Sequence, residues 1–209
     1  MSGLNFLSMV TLSLSAASLY AANADVAVLS ALAGGVTYRQ QASAPLAAAP
    51  FMKLREGDIL DVPAGAEVRV VFLKAHRQEN WAGPASFRLL ADKSQALRGA
   101  PAAILDLPGA VPVSISGLSD LVRISRPGSV QVRGVPRPKP GYAEALERAR
   151  QTYDELRRRM PEDDITPELF LFATAQEYLV EDEMRRTLRE MERRRPGDPE
   201  IRALEPYVR

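Results

Sequence analysis

The spacing of apolar residues changes once along this chain, and the change divides it into two parts. Before the change, apolar and polar residues alternate over short runs such as 67–70, which is typical of strands with one buried face. After Gly141, apolar residues recur every three or four positions, as they do on one face of a helix. Residues 135–140, Val-Pro-Arg-Pro-Lys-Pro, lie between the two parts, and alternate prolines favour an extended, stiff spacer. We therefore predict an α+β protein with a β-domain over 25–134, a proline-rich linker over 135–140 and a helical region over 141–209.

The β-domain is predicted to consist of short strands separated by turn residues. Turn signals at Glu56-Gly57-Asp58 and Pro63-Ala64-Gly65 bracket a strand over 59–62, and a first hairpin is expected at Gly34-Gly35. A polar loop is expected over 74–80 and a polar link over 92–99. Further strands are predicted over residues 67–73, 86–90, 102–107, 111–116, 121–125 and 129–133. Runs of this length and spacing favour an antiparallel β-sandwich or an open β-barrel-like module over a parallel sheet with crossover helices.

This order of strands and turns resembles the FecR-like domain of bacterial envelope proteins, over residues 26–134. The resemblance is carried by Gly35-Val-Thr-Tyr-Arg39, Leu54-x-x-Gly-Asp-Ile-Leu60, Pro63-x-Gly-Ala-x-Val-x-Val-x-Phe72 and Gly83-Pro-Ala-Ser-Phe-Arg-Leu89. The family usually has an Asp-Gly turn where this chain has residues 74–79, so a longer and more polar hairpin is expected here. The resemblance implies a periplasmic location and a role in sensing, signalling or scaffolding through contact with another envelope protein.

The N-terminal segment has the pattern of an export signal. Leu4 to Tyr20 is an uncharged apolar run, and Ala22-Asn23-Ala24 supplies the small residues that a signal peptidase reads. We therefore predict a cleaved signal peptide over 1–24, although no Lys or Arg precedes the run, and the first basic side chain is Arg39. The alternatives are a retained membrane anchor and a buried helix of the core.

The helical region contains three clear helix patterns and a short fourth one. The first runs from Tyr142 to Met160 and ends in the arginines of 157–159, which suit the carbonyl end of the helix dipole. Thr166 followed by Pro167 marks the N-cap of the second helix. The third ends at the arginines of 193–195, and Asp198-Pro199-Glu200 begins the fourth.

Part of this region is similar to a tetratricopeptide unit. Ala149, Tyr153, Leu156 and Pro161 have the spacing of the second helix of such a unit, and the arginine triplets of 157–159 and 193–195 form a partial repeat. Two partial repeats do not bury the continuous core of a solenoid, for which about three are needed. We therefore predict a helical hairpin packed on the β-domain.

Composition excludes several kinds of site. The chain has no cysteine, so it has neither disulfides nor thiolate chemistry, and its single histidine does not make a zinc site of the usual ligand set. Residues 25–140 carry 14 basic and 9 acidic side chains, and residues 141–209 carry 13 basic and 17 acidic ones, giving formal charges of +5 and −4. Neither part has the basic excess of a nucleic-acid-binding protein, and aromatic residues are only 6%. No cofactor, metal or nucleic-acid partner is expected, whereas the opposite charges favour contact between the two parts.

The candidate site residues of the β-domain are His76, Arg77, Glu79 and Trp81. His76 is interpreted as a surface-loop residue; as a general base it would need an orienting carboxylate, for which Glu79 is the near candidate. Trp81 is interpreted as a core anchor, with ligand stacking as the alternative. Together the four are the predicted surface for a ligand or partner.

The function predicted from the sequence is that of a non-catalytic, exported envelope protein whose FecR-like domain binds a protein partner. One alternative is a cell-wall binder or envelope enzyme that contacts peptidoglycan or another glycan. The other is a membrane-anchored signal transducer in which residues 4–20 are retained.

Overall fold

The computed structural model describes residues 24–40, 43–124 and 137–208. The predicted signal peptide, apart from residue 24, lies outside the described residues. So do the predicted strand over 129–133 and the first two residues of the linker.

Within the described residues, ten strands form two antiparallel sheets of five strands each. The strands are β1 Asp25–Ala33, β2 Thr37–Gln40, β3 Leu46–Ala47, β4 Lys53–Arg55, β5 Asp58–Val62, β6 Glu67–Phe72, β7 Arg77–Ala82, β8 Ala85–Leu89, β9 Ser94–Arg98 and β10 Ala103–Asp106. The inner sheet has the strand order β10-β7-β6-β1-β4, and the outer sheet has the order β3-β2-β5-β8-β9.

The helices form a third layer on the inner sheet. They are α1 Ala110–Ile124, α2 Tyr142–Arg159, α3 Thr166–Glu177, α4 Glu181–Arg194 and α5 Pro199–Leu204, followed by a 3-10 turn at Glu205–Val208. The predicted α+β class with a sandwich-like β-module is therefore confirmed. None of the described helices has both the length and the apolar character that crossing a membrane requires.

The central strands of the inner sheet are largely buried, because both of their faces are covered. Val70 and Phe72 face the interior of the sandwich, whereas Val71 between them belongs to the core shared with the helices, and all three are fully buried. Val28 of β1 likewise packs toward the helices. Alternation of polar and apolar residues is typical of a strand with one exposed face, and burial of both faces explains why the second half of β6 is continuously apolar.

The predicted hairpin at Gly34-Gly35 is wrong, because the two strands that flank it belong to different sheets. β1 pairs with β4 and β6 in the inner sheet, and β2 pairs with β3 and β5 in the outer sheet. Gly34 has φ +82°, and a Cβ at this position would lie 2.7 Å from the Cβ of Ala66. Glycine is therefore needed where the chain crosses from one sheet to the other.

The two polar segments also contain strands. β7 begins at Arg77, so the turn after β6 is shorter than the predicted loop over 74–80, and β9 lies within the predicted link over 92–99. Gln78 and Glu79 of β7 are buried and hydrogen-bonded, so their polarity does not place them in a loop. β9 is an edge strand with mostly exposed side chains and therefore has no apolar signal.

The predicted strands over 111–116 and 121–125 are wrong over the described residues, because residues 110–124 form the helix α1. Val111, Ile115 and Leu118 are fully buried and recur at helical spacing. The helix packs on α3 and on β1. Its Pro112 lies in the first turn, where a proline does not remove a helical hydrogen bond. Residues 110–124 of the predicted β-domain thus belong to the helical layer.

The helices after residue 141 follow their predicted positions closely, but they form a layer around α3 instead of a hairpin. α3 is buried on every side, with Leu169, Phe170 and Phe172 in the core, and it packs against α1, α2 and α4. Asp198 is the N-cap of α5, where its side chain accepts a hydrogen bond from the Glu200 N–H, as predicted.

The cap of α3 differs from the prediction. Oδ1 of Asp164 accepts a hydrogen bond from the Thr166 N–H at 3.0 Å. The Thr166 hydroxyl instead donates to Oε1 of Gln78 in β7, at 2.9 Å. Thr166, which was expected to cap its own helix, therefore links that helix to the inner sheet.

The two parts of the chain pack against each other through a shared apolar core. Phe51, Val71 and Leu107 of the N-terminal part belong to one buried cluster with residues of α2, α3 and α4. At the edge of this cluster, Arg69 of β6 lies 3.5 Å from Asp164, which also accepts a hydrogen bond from Gln78. The contact between the +5 and −4 parts is therefore mainly apolar, with a buried polar network at its margin.

A candidate binding cleft in the helical layer

A cleft of about 580 Å³ opens between α2 and α4, and α3 contributes to its floor. The rim arginines are Arg150 on α2 and Arg186, Arg189 and Arg193 on α4. The three on α4 are spaced by three and four residues, which places them on one face of the helix. Four guanidinium groups therefore border one opening.

A buried cluster around Glu168 joins the three helices beneath this opening. Glu168 is fully buried, and its carboxylate lies 2.9 Å from Nη1 of Arg157 and 3.0 Å from Nε of Arg194. The hydroxyl of Tyr153 donates to the same carboxylate at 3.0 Å. Burial, together with the charge of Glu168, raises the pKa of Tyr153 to about 12, so the hydroxyl keeps its proton and remains a donor.

A second buried acid, Glu183, fixes the opposite end of the cleft. Its Oε2 lies 2.7 Å from Nη2 of Arg150 and 3.6 Å from Nη1 of Arg186. Near the other end of α4, Glu190 lies 2.6 Å from Nη2 of Arg193. The hydrogen bond from Arg193 lowers the pKa of the Glu190 carboxyl, which keeps this pair charged. These pairs hold the side chains of the cleft wall in place.

The solvent-facing side of the cleft is positive. The side chains of Arg150, Arg186 and Arg193 are 45%, 65% and 61% exposed, whereas Glu168 and Glu183 are buried and already paired. Arg189 is exposed as well and makes no ion pair with any residue that the structure describes. Among the acids of the lining, Asp154 is exposed, and Glu190 is 30% exposed and paired with Arg193 and Arg194. This arrangement favours an anionic ligand over a cationic one.

The candidate residues of the β-domain lie elsewhere and do not form one exposed surface. Trp81 and Glu79 are 2% and 1% exposed and face the interior of the sandwich. Nε1 of Trp81 donates to Oε2 of Glu79 at 3.2 Å, and Nε of Arg77 lies 2.9 Å from Oε1 of Glu79. Trp81 also stacks on Phe87, with 4.2 Å between the ring centroids, so its interpretation as a core anchor is confirmed. His76 is exposed in the turn between β6 and β7 and has φ +50°.

Acidic residues of the segments 162–164 and 181–183 have local structural roles. Asp164 accepts a hydrogen bond from the Thr166 N–H at the start of α3 and pairs with Arg69, and Glu183 pairs with arginines of the cleft wall. Across the described ranges, no three His, Asp or Glu side chains lie close enough together to hold a metal ion.

The residues of the cleft were not identified from the sequence, where the arginine triplets of 157–159 and 193–195 were assigned to helix ends and to a partial repeat. One signal was available. Glu168 precedes a run of apolar residues in a helix that is buried all round, and a buried carboxylate needs cationic or hydrogen-bonding partners. The two triplets supply those partners through Arg157 and Arg194.

Comparison of the chain with known proteins identified no relative. No family model matches the chain, and neither a curated protein nor a solved structure shows significant similarity to it.

Proposed function

We propose that this protein is a non-catalytic binding module of the bacterial envelope, in which the cleft between α2 and α4 contacts a partner protein and the sandwich is the scaffold. The observation that carries the proposal is the arginine-bordered cleft itself. It combines a concave shape, an apolar floor at Leu171 and charged groups at the opening, which is the usual composition of a recognition site.

The supports of the cleft favour a preformed surface. Its two walls and its floor are tied together by the buried Glu168 cluster. The whole helical layer shares its core with the inner sheet. A site that is ordered before binding loses less conformational entropy when its ligand arrives.

The envelope location and the partner class rest on the sequence. The signal-peptide pattern of residues 1–24 predicts export, and the FecR-like motifs imply contact with an envelope protein. In this proposal the FecR-like sandwich supports the cleft, because Glu79 and Trp81 of its predicted surface are buried.

The test is a pull-down from a native envelope extract with full-length mature baits that differ only at point substitutions. The β-domain alone is an unsuitable bait, because removing the helices would expose Val28, Phe51 and Val71. The cleft bait carries Arg186→Glu and Arg189→Glu. The matched control carries Arg148→Glu and Arg202→Glu, two exposed arginines on α2 and α5 outside the cleft lining.

We expect one partner to be retained by the wild-type and control baits and lost from the cleft bait. Thermal unfolding of each bait is measured beforehand, and equal midpoints are required to show that the substitutions leave the fold intact. If all three baits retain the same partner, the cleft is not the recognition surface, and the exposed face of the outer sheet around Arg88 is the next surface to vary.

A further inference from the structure

We infer that the segment bound by the cleft is an extended acidic peptide of the partner, with carboxylates at alternate positions and an apolar side chain among them. The inference rests on the proposed function of the cleft and specifies the chemistry of its occupant.

The spacing of the rim arginines supports an extended segment. Arg186 and Arg193 are seven residues apart on α4, which corresponds to roughly 10 Å along the helix axis. An extended peptide rises about 3.3 Å per residue, and every second side chain points to the same side. Two alternate carboxylates are thus about 7 Å apart and three span about 13 Å, so the length of the arginine row lies between these two values.

The charge of the opening supports carboxylates as the groups that bind there. Each guanidinium presents a planar set of donors that matches the two oxygens of a carboxylate. Arg189 has no ion pair with any described residue and is therefore available without breaking an existing contact. Arg186 is 3.6 Å from Glu183 and largely exposed, so its existing pairing is loose. A peptide carboxylate would have little competition at these two positions.

The floor of the cleft supports the apolar side chain. Leu171 of α3 and the ring of Tyr153 both line the cleft. The Tyr153 hydroxyl is already bonded to Glu168, which leaves the ring as the part of this residue that is available to a ligand. A peptide of alternating acidic and apolar residues satisfies the rim and the floor together. A uniformly charged polymer satisfies the rim alone.

The experiment measures binding of fluorescein-labelled peptides to the full-length mature protein by fluorescence anisotropy. The probe is a six-residue peptide of alternating glutamate and leucine, and the matched probe has glutamine in place of each glutamate. The protein variants are Arg189→Glu, the Arg186→Glu/Arg189→Glu pair and the control Arg148→Glu. Heparin serves as an unrelated polyanion.

We expect the glutamate peptide to bind the wild type and the control equally. Arg189→Glu should weaken binding roughly tenfold, since a hydrogen bond to a charged group is lost and a repulsive charge is added. Raising the salt concentration should weaken binding further, because the rim charges are exposed. The inference would be overturned if the glutamine peptide bound the wild type as tightly as the glutamate peptide does. It would also be overturned if the cleft variants bound the glutamate peptide as tightly as the wild type does. The inference would also be overturned if heparin displaced the glutamate peptide from Arg148→Glu and from Arg189→Glu to the same extent.

The failure of this inference is distinct from the failure of the proposed function. If the pull-down assigns the partner to the cleft but the acidic peptide does not bind, only the chemistry of the occupant is wrong. If the peptide binds at the cleft but the partner is retained by the cleft bait, the peptide inference stands for this surface and the proposed function is wrong.

Discussion

Arg157 of α2 and Glu168 of α3 form an ion pair beneath the cleft, with 2.9 Å between Nη1 and Oε2. Glu168 is fully buried, and Arg194 of α4 reaches the same carboxylate. One acid is therefore shared by two largely buried arginines from two different helices, and Arg194 also lies 2.7 Å from Glu190. Arg157 also donates to the backbone carbonyl of Asp164 at 2.7 Å, which ties the end of α2 to the segment that precedes α3.

The first prediction concerns the stability that depends on Glu168. We expect Glu168→Ala to lower the free energy of unfolding by about 3 to 5 kcal/mol, because it leaves the buried guanidinium of Arg157 without its counter-ion and removes one of the two ion pairs of Arg194. The measurement is urea denaturation followed by circular dichroism. The matched control is Glu155→Ala, which removes the exposed partner of Arg159 and should cost less than about 0.5 kcal/mol. A loss below about 1 kcal/mol for Glu168→Ala would contradict the structural role of the cluster.

The second prediction concerns cooperativity between the layers. Trp81 is the single tryptophan and lies inside the sandwich, so its fluorescence reports on the sheets, whereas far-ultraviolet circular dichroism reports mainly on the helices. Because the helices and the inner sheet share a core, both signals should change at the same urea concentration. Phe172→Ala in α3 should lower both midpoints equally, at a cost of about 3 to 5 kcal/mol. Two separate transitions would show that the layers unfold independently.

The local signals in the sequence locate much of the fold, and long-range contacts account for the rest. The helical spacing of residues 142–160 predicted α2, and Asp198 predicted the start of α5. The segment of α1 was assigned to strands because Pro112 and Gly117 resemble turn residues and Val and Ile favour strands. What holds it as a helix is the burial of Val111, Ile115 and Leu118 under α3 and β1, which is a tertiary effect.

The candidate site was less accessible to sequence analysis, because its residues come from three helices. Arg157, Glu168 and Arg194 each have an ordinary local explanation, and only the packing of α2 and α4 on either side of α3 brings them together. In the β-domain, the polarity of Arg77 and Glu79 indicated an exposed surface. In the structure Glu79 is buried and bonded to Trp81, since β7 is an inner-sheet strand with both faces covered.

The third prediction compares two neighbouring acids at the junction of the layers. Asp164 is fully buried, accepts hydrogen bonds from Gln78 and Thr166 and lies 3.5 Å from Arg69. Asp163 is 75% exposed and lies 3.9 Å from Arg69. We expect Asp164→Ala to cost about 3 kcal/mol, because it removes the acceptor of the Thr166 N–H at the start of α3 and leaves buried donors unpaired. Asp163→Ala should cost less than about 1 kcal/mol. Equal losses in thermal or urea unfolding would mean that the buried network does not stabilise the junction.

The last prediction concerns the pH dependence that arises from Glu200 in α5. This side chain is 1% exposed, and neither carboxylate oxygen has a hydrogen-bond partner among the described residues. Burial, followed by the charge of Asp198, raises the pKa of Glu200 to about 8, although Arg195 and Arg69 oppose the shift.

Because the pKa of Glu200 is higher in the folded chain than in the unfolded one, the folded state binds the proton more tightly. Its contribution to stability is therefore fully present below the ordinary value of 4.5 and is lost as the pH rises to about 8. We expect Glu200→Gln, which is uncharged at every pH, to gain stability relative to the wild type between about pH 5 and pH 9. The gain should be on the order of 4 kcal/mol. The measurement is urea unfolding of both proteins across this range, with the exposed Glu205→Gln as the control. If the difference between wild type and Glu200→Gln is the same at both ends of the range, the buried carboxyl does not titrate there, and the arginines at the junction hold it charged throughout.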